Sequence, residues 1–161
     1  ELNLKDGECH PLRVVLDPTL SMPLDAKMLS QPGRTLLMSS KQAIEGDHVR
    51  ANNLAAQGVE LVTVDANGER LDIAAILHYL ADVESIREVM VEAGSKVAGA
   101  FIQSGLVNEV HCFIAPVLMG DQAKPMFTLP GLDAMADKMT FKIKDTAHFG
   151  QDIRLLLTPT G

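Results

Sequence analysis

Glu88–Gly105, "EVMVEAGSKVAGAFIQSG", begins as an apolar run rich in valine, passes through a glutamate, and then changes period. From Ser95 its apolar residues recur at helical spacing until Gly105. A strand over Ile86–Glu92 that turns through Gly94 and Ser95 into a helix is the repeating unit of an α/β sheet. In such sheets ligands lie off the C-terminal ends of the strands. A helix N-terminus leaves backbone N–H groups unpaired, and its dipole favours anions, so Gly94, Ser95 and Lys96 are candidates to hold a phosphate-bearing ligand. Ala98 and Gly99 let the helix lie close to a ligand or to the sheet. The same residues also suit a tight strand-to-helix turn with small side chains for packing. The spacing matches neither a Walker loop nor the dinucleotide fingerprint. Glu92, at a strand end, is either solvated or paired with a specific donor such as a ligand hydroxyl or base N–H.

Outward from this stretch the alternation continues. Upstream, Leu12–Asp17, Arg34–Ser40 and Val59–Val64 read as strands, and Asp47–Gly58 and Leu71–Val83 as helices, with a turn at "ANGE". Ser39–Lys41 ends a strand and suits either capping or an adenosine phosphate. Downstream, Asn108–Gly120 reads as one long strand, "GLDAMADK" as a short helix or turn, and the last segments as a β-hairpin around Gly150. The expected class is α/β, with a mostly parallel central sheet and an antiparallel C-terminal hairpin. One domain spans residues 1–161.

Composition narrows the partners. The chain has 161 residues, 47% of them hydrophobic, and a net charge of −7. With no tryptophan, one tyrosine and no basic stripe, nucleic-acid binding is not expected. No apolar run is long enough to span a membrane. Cys9 and Cys112 form neither a metal-ligand spacing nor a disulfide framework, which favours a cytoplasmic setting, and Cys112 reads as a buried small hydrophobe. His78 reads as partly buried packing. His111 and His148 have no partner at ligand spacing, so no metal is expected. Met119, Met126, Met135 and Met139 read as core or interface filler.

Four segments together resemble one family. They are "HPLRVVLDPTLSMPLDAKML" (His10–Leu29), "GVELVTVDANGERLDIAAILHYL" (Gly58–Leu80), "VMVEAGSKVAGAFIQSGLVNEVHCFIAPVLMG" (Val89–Gly120) and "AKPMFTLPGL" (Ala123–Leu132). The third is the most specific: Glu-Ala-Gly, Ala-Gly-Ala, Gly-Leu-Val-x-Glu and Ile-Ala-Pro-x-Leu-x-Gly follow in order. The family is the C-terminal reductase domain of the bifunctional riboflavin-biosynthesis deaminase/reductase, the RibD family. The resemblance implies a dihydrofolate-reductase-like, three-layer αβα fold. It implies NADPH-dependent reduction of the ribosyl group of 5-amino-6-(5-phosphoribosylamino)uracil to ribityl.

By that resemblance Glu92 contacts the phosphorylated pyrimidine substrate. Gly94, Ser95, Lys96, Val97, Ala98, Gly99 and Ala100 wrap the cofactor, and Asp17 and Pro18 lie along its path. Pro18 departs from the Ser or Thr common there, which leaves its ring or carbonyl for contact. No catalytic acid is identifiable. The family's first strand and substrate loops precede the point where this chain starts, so the chain resembles a C-terminal fragment joined to a deaminase domain, inactive alone and homo-oligomeric in the whole protein. A dihydrofolate-type reductase and a non-catalytic nucleotide-binding or assembly domain are the competing functions. Finally, a Glu92 turned into a cleft would require an unusual backbone at Ala93–Gly94: a positive φ at Gly94 or a cis peptide.

Overall fold

Three short strands pair side by side in parallel, with the middle one buried along nearly its whole length. The computed structural model describes residues 10–67 and 70–160. The chain divides into two compact units, Glu1–Arg87 and Glu88–Gly161.

In the first unit β1 (Arg13–Leu16), β2 (Thr35–Ser40) and β3 (Val59–Val64) form a parallel sheet in the order β1-β2-β3. Leu16 pairs with Met38 and Ser40 with Val64, so all three strands end along one edge. Burial of Leu36, Leu37, Met38 and Ser39 shows that both faces of β2 are covered, as parallel sheets require. Between β2 and β3 run α1 (Lys41–Gly46) and α2 (His48–Ala56). Ser40 caps α1, accepting from the Ala43 N–H at 3.1 Å, and Asp47 caps α2, accepting from the Arg50 N–H at 2.9 Å. Gly58, with φ of +83°, turns the chain from α2 into β3. Leu20, Met22, Leu37, Ala51, Leu54 and Val59 form a core cluster here.

A two-residue ladder joins β4 (Ala66–Asn67) to β5 (Arg70–Leu71), and the tip of the expected "ANGE" turn lies outside the described residues. The helix α3 (Ile73–Asp82) follows. Its cap, Asp72, accepts from the N–H groups of Ala74 and Ala75. Ile73, Ile76 and Leu80 form its buried face. His78 falls between those positions and is exposed, not packed as expected.

The second unit holds α4 (Ser95–Ser104) and an antiparallel sheet in the order β6-β8-β7, from β6 (Val110–Ile114), β7 (Phe141–Phe149) and β8 (Asp152–Pro159). Gly105 ends α4 in the left-handed region, φ 70°, and Gly150, φ 64°, turns β7 into β8. The parallel sheet and the closing hairpin thus match the expected α/β pattern.

Several local expectations fail for identifiable reasons. Ile86–Glu92 forms no strand: Val89, Met90 and Val91 are 42%, 84% and 40% exposed, and the segment pairs with no described strand. Strand propensity needs a hydrogen-bonded neighbour to be realised. The long strand expected over Asn108–Gly120 stops at Ile114, because Pro116 lacks an N–H and restricts Ala115 before it. Val117, Leu118 and Met119 beyond it are exposed. Met126, Met135 and Met139 are exposed as well, so none of the four methionines fills a core. Cys112 is only half-buried, with its thiol 3.7 Å from the Met126 sulfur, and Cys9 lies outside the described residues.

Candidate functional site

The start of α4 is made by a simple change of backbone. Gly94 is extended, with φ −67° and ψ 168°, and the chain becomes helical at Ser95. No cis peptide occurs among the described residues, and Gly94 is not in the left-handed region. Neither unusual backbone expected for Ala93–Gly94 is therefore used. An ordinary hinge suffices because Glu92, Ala93 and Gly94 are all exposed, so nothing forces the glutamate inward. A Cβ built on Gly94 would meet nothing within 4 Å.

No side chain caps α4. Its first backbone bond runs from the Ala98 N–H to the Gly94 carbonyl, 3.0 Å. The N–H groups of Ser95, Lys96 and Val97 precede that ladder, at the positive end of the helix dipole. The exposed Lys96 adds a charge there. Donors without a capping side chain, a favourable dipole and open space beside Gly94 fit the pyrophosphate of a dinucleotide.

Gly99 is a different kind of glycine. A Cβ there would run into the Thr128 carbonyl and lie 2.9 Å from its carbon and 3.1 Å from its nitrogen. The backbone of Thr128, not a ligand, occupies the space that the glycine leaves. The Thr128 N–H donates to the Ser95 carbonyl at 2.9 Å, and the Thr128 hydroxyl to the Ser95 hydroxyl at 3.0 Å. The Gln103 amide donates to the Pro130 carbonyl at 2.8 Å. Ser95, Gly99 and Gln103 recur every fourth residue, so one face of α4 carries the segment Thr128–Pro130 along its length. This strap was not foreseen, and a threonine between two apolar residues carries no signature that would have announced it.

Glu92 makes no hydrogen bond or ion pair among the described residues, and its carboxylate is exposed just before the α4 end. Asp17 and Pro18 belong to the first unit, where the chain leaves β1. Asp17 is buried and its carboxylate is engaged locally, accepting from the Met22 N–H at 2.6 Å, the Ser21 hydroxyl at 3.0 Å and the Thr19 hydroxyl at 3.4 Å. The Pro18 carbonyl accepts from the Ser40 hydroxyl at 2.8 Å. Arg50 closes the same loop from α2, donating to the carbonyls of Leu20, Ser21 and Met22. These bonds hold Leu20 at φ 57° with its side chain buried. Ser40 is thus a cap and a loop tie. Arg50 had no sequence signal, since an arginine within a helix is ordinarily solvated.

Comparison with known proteins places these features in a family. The model of the RibD C-terminal domain matches residues 2–155. "Riboflavin biosynthesis protein RibD" of Escherichia coli (strain K12) is 31% identical over 148 residues, 92% of this chain and 38% of that protein. The "5-amino-6-(5-phosphoribosylamino)uracil reductase" of Buchnera aphidicola subsp. Acyrthosiphon pisum (strain APS) is 27% identical over 150 residues, 93% of this chain and 68% of that protein. Among solved structures, Acinetobacter baumannii RibD superposes with a TM-score of 0.76 at 32% identity, covering 92% of this chain and 37% of that one. The chain therefore spans well under half the length of the RibD proteins it matches. Its α/β fold is the dihydrofolate-reductase-like fold of those reductases. On the match over nearly all its residues, the chain belongs to the RibD C-terminal domain family.

Proposed function

We propose that this chain is the reductase part of a riboflavin-biosynthesis enzyme, reducing the ribosyl group of 5-amino-6-(5-phosphoribosylamino)uracil to ribityl with NADPH. The observation that carries the proposal is the open, uncapped N-terminus of α4, directly after Glu92, in a chain of this family. The Ser95, Lys96 and Val97 N–H groups hold the cofactor's pyrophosphate, and the Lys96 ammonium adds a charge close to it. Gly94 leaves room for the phosphate to approach the backbone. Ala98 and Ala100 continue the cofactor-facing helix, with Gly99 serving it indirectly by seating the strap.

Glu92 accepts a hydrogen bond from a hydroxyl or N–H of the phosphorylated pyrimidine. Pro18 offers its ring to the cofactor, while Asp17 shapes the loop that presents it. The bound nicotinamide supplies the hydride, and the protein's part is to bind and orient both molecules so that the hydride meets the sugar carbon. The whole polypeptide carries a deaminase domain as well, works in the cytoplasm and assembles as a homo-oligomer.

The test is turnover by the intact protein. With the phosphoribosylamino uracil and NADPH, absorbance of the reduced cofactor should fall and a product heavier by two hydrogens should accumulate, one for each NADPH consumed. A folded protein that binds NADPH but leaves the pyrimidine unreduced would refute the proposal. Comparable turnover of dihydrofolate would favour the competing reductase instead.

A further inference from the structure

We propose that Thr128 is a positioning residue for the cofactor end of α4, holding Ser95 so that its hydroxyl hydrogen is turned outward as a donor to phosphate. The inference rests on the cofactor site proposed above. It stands on two hydrogen bonds between the residues: the Thr128 N–H donates to the Ser95 carbonyl at 2.9 Å, and the Thr128 hydroxyl donates to the Ser95 hydroxyl oxygen at 3.0 Å. A serine hydroxyl has one hydrogen to donate and two lone pairs to accept with. With one lone pair filled by Thr128, the hydrogen is directed away from the threonine, to the side where a ligand would lie. A serine hydroxyl at a free helix end would instead rotate among its staggered positions. A hydroxyl that already accepts a hydrogen bond is also polarised toward donating one.

The strap makes this arrangement rigid. Thr128 cannot slide along α4, because its backbone fills the notch at Gly99. Two residues on, the Pro130 carbonyl is held by Gln103 at 2.8 Å, in the last turn of the helix. Ser95 is therefore fixed from outside its own helix, by a segment anchored at three successive levels.

The experiment is a double-mutant cycle in the intact protein, read by NADPH titration, steady-state kinetics and urea midpoint. Thr128→Val keeps the shape and the backbone bond but removes the hydroxyl. It should raise the NADPH Kd and KM about fivefold, the effect of one hydrogen bond, with little change in kcat at saturating NADPH. Thr128→Ser should restore affinity. In a Ser95→Ala background, Thr128→Val should cost nothing further, because the hydroxyl it orients is already gone.

Unchanged Kd in Thr128→Val, with Ser95→Ala weakened, would overturn the positioning role and leave the cofactor site standing. An equal loss from Thr128→Val with and without the serine hydroxyl would overturn it too, by showing a general packing effect. If Ser95→Ala leaves NADPH affinity unchanged, the serine hydroxyl makes no contact with phosphate and this inference falls, while the backbone N–H groups proposed to hold the pyrophosphate are untouched by that substitution.

Discussion

Gly94 and Gly99 lie on one short stretch of chain and leave their side-chain space to different occupants. Beside Gly94 there is open solvent, and its φ of −67° suits any residue. Beside Gly99 is the Thr128 backbone. Gly94→Ala should therefore leave stability within about 0.5 kcal/mol of the parent, as for an unconstrained surface site. If the cofactor's phosphates approach this backbone, the same variant should lose about tenfold in NADPH affinity. Gly99→Ala should behave in the reverse way, costing about 1–3 kcal/mol in urea denaturation as the strap is pushed off the helix. Equal destabilisation by both alanines would contradict the assignment. A bulkier residue at Gly99 would weaken the cofactor only by moving Thr128, so Gly94 is the position at which to probe direct contact.

Among the elements, legibility followed locality. The bounds of β3 are those read from its valine-rich sequence, and α2 begins at the cap Asp47 and gives way to the strand at Gly58, because caps and turn glycines act within a few residues. The short helix α1 was hidden: Ser40 closes β2 and caps α1 at once, and six residues carry too little period to be seen. The Ile86–Glu92 segment has the composition of a strand, but pairing is a long-range property that composition does not contain. In the same way the helix opening at Ser95 was visible, whereas the strap on its flank joins residues 33 positions apart.

One long-range tie between elements carries a pH dependence. Arg34, just before β2, donates to both oxygens of Glu60 on β3 and both oxygens of Glu84 beyond α3. The hydrogen bonds from Arg34 hold the Glu60 carboxyl below its ordinary value of 4.5. A carboxyl whose pKa is depressed by folding adds stability above its unfolded pKa, and that contribution is lost as the pH falls through the folded value. Arg34→Met should therefore lower the urea midpoint at neutral pH by a small amount, as befits an exposed ion pair, with the difference shrinking as Glu60 is protonated. A gap between parent and variant that persists undiminished in acid would show that Arg34 acts through packing and not through charge.

For the whole molecule, the described residues supply a parallel sheet, an antiparallel sheet and a helix end suited to phosphate, while the valine-rich run before that helix end pairs with no described strand. The family was legible because its motifs lie in contiguous residues. The run from Glu92 to Ala100 marked the family and a candidate site, but that Gly99 packs against protein depended on Thr128, far along the chain. Whether the first turn of α4 receives the cofactor is decided by hydrogen exchange of the intact protein with and without NADPH. The amides of Ser95, Lys96 and Val97 have no helical partner and should exchange quickly in the free protein. NADPH should slow them markedly, with a smaller effect on the rest of α4. Protection elsewhere in the protein, with these three amides exchanging as fast as before, would contradict the proposed site.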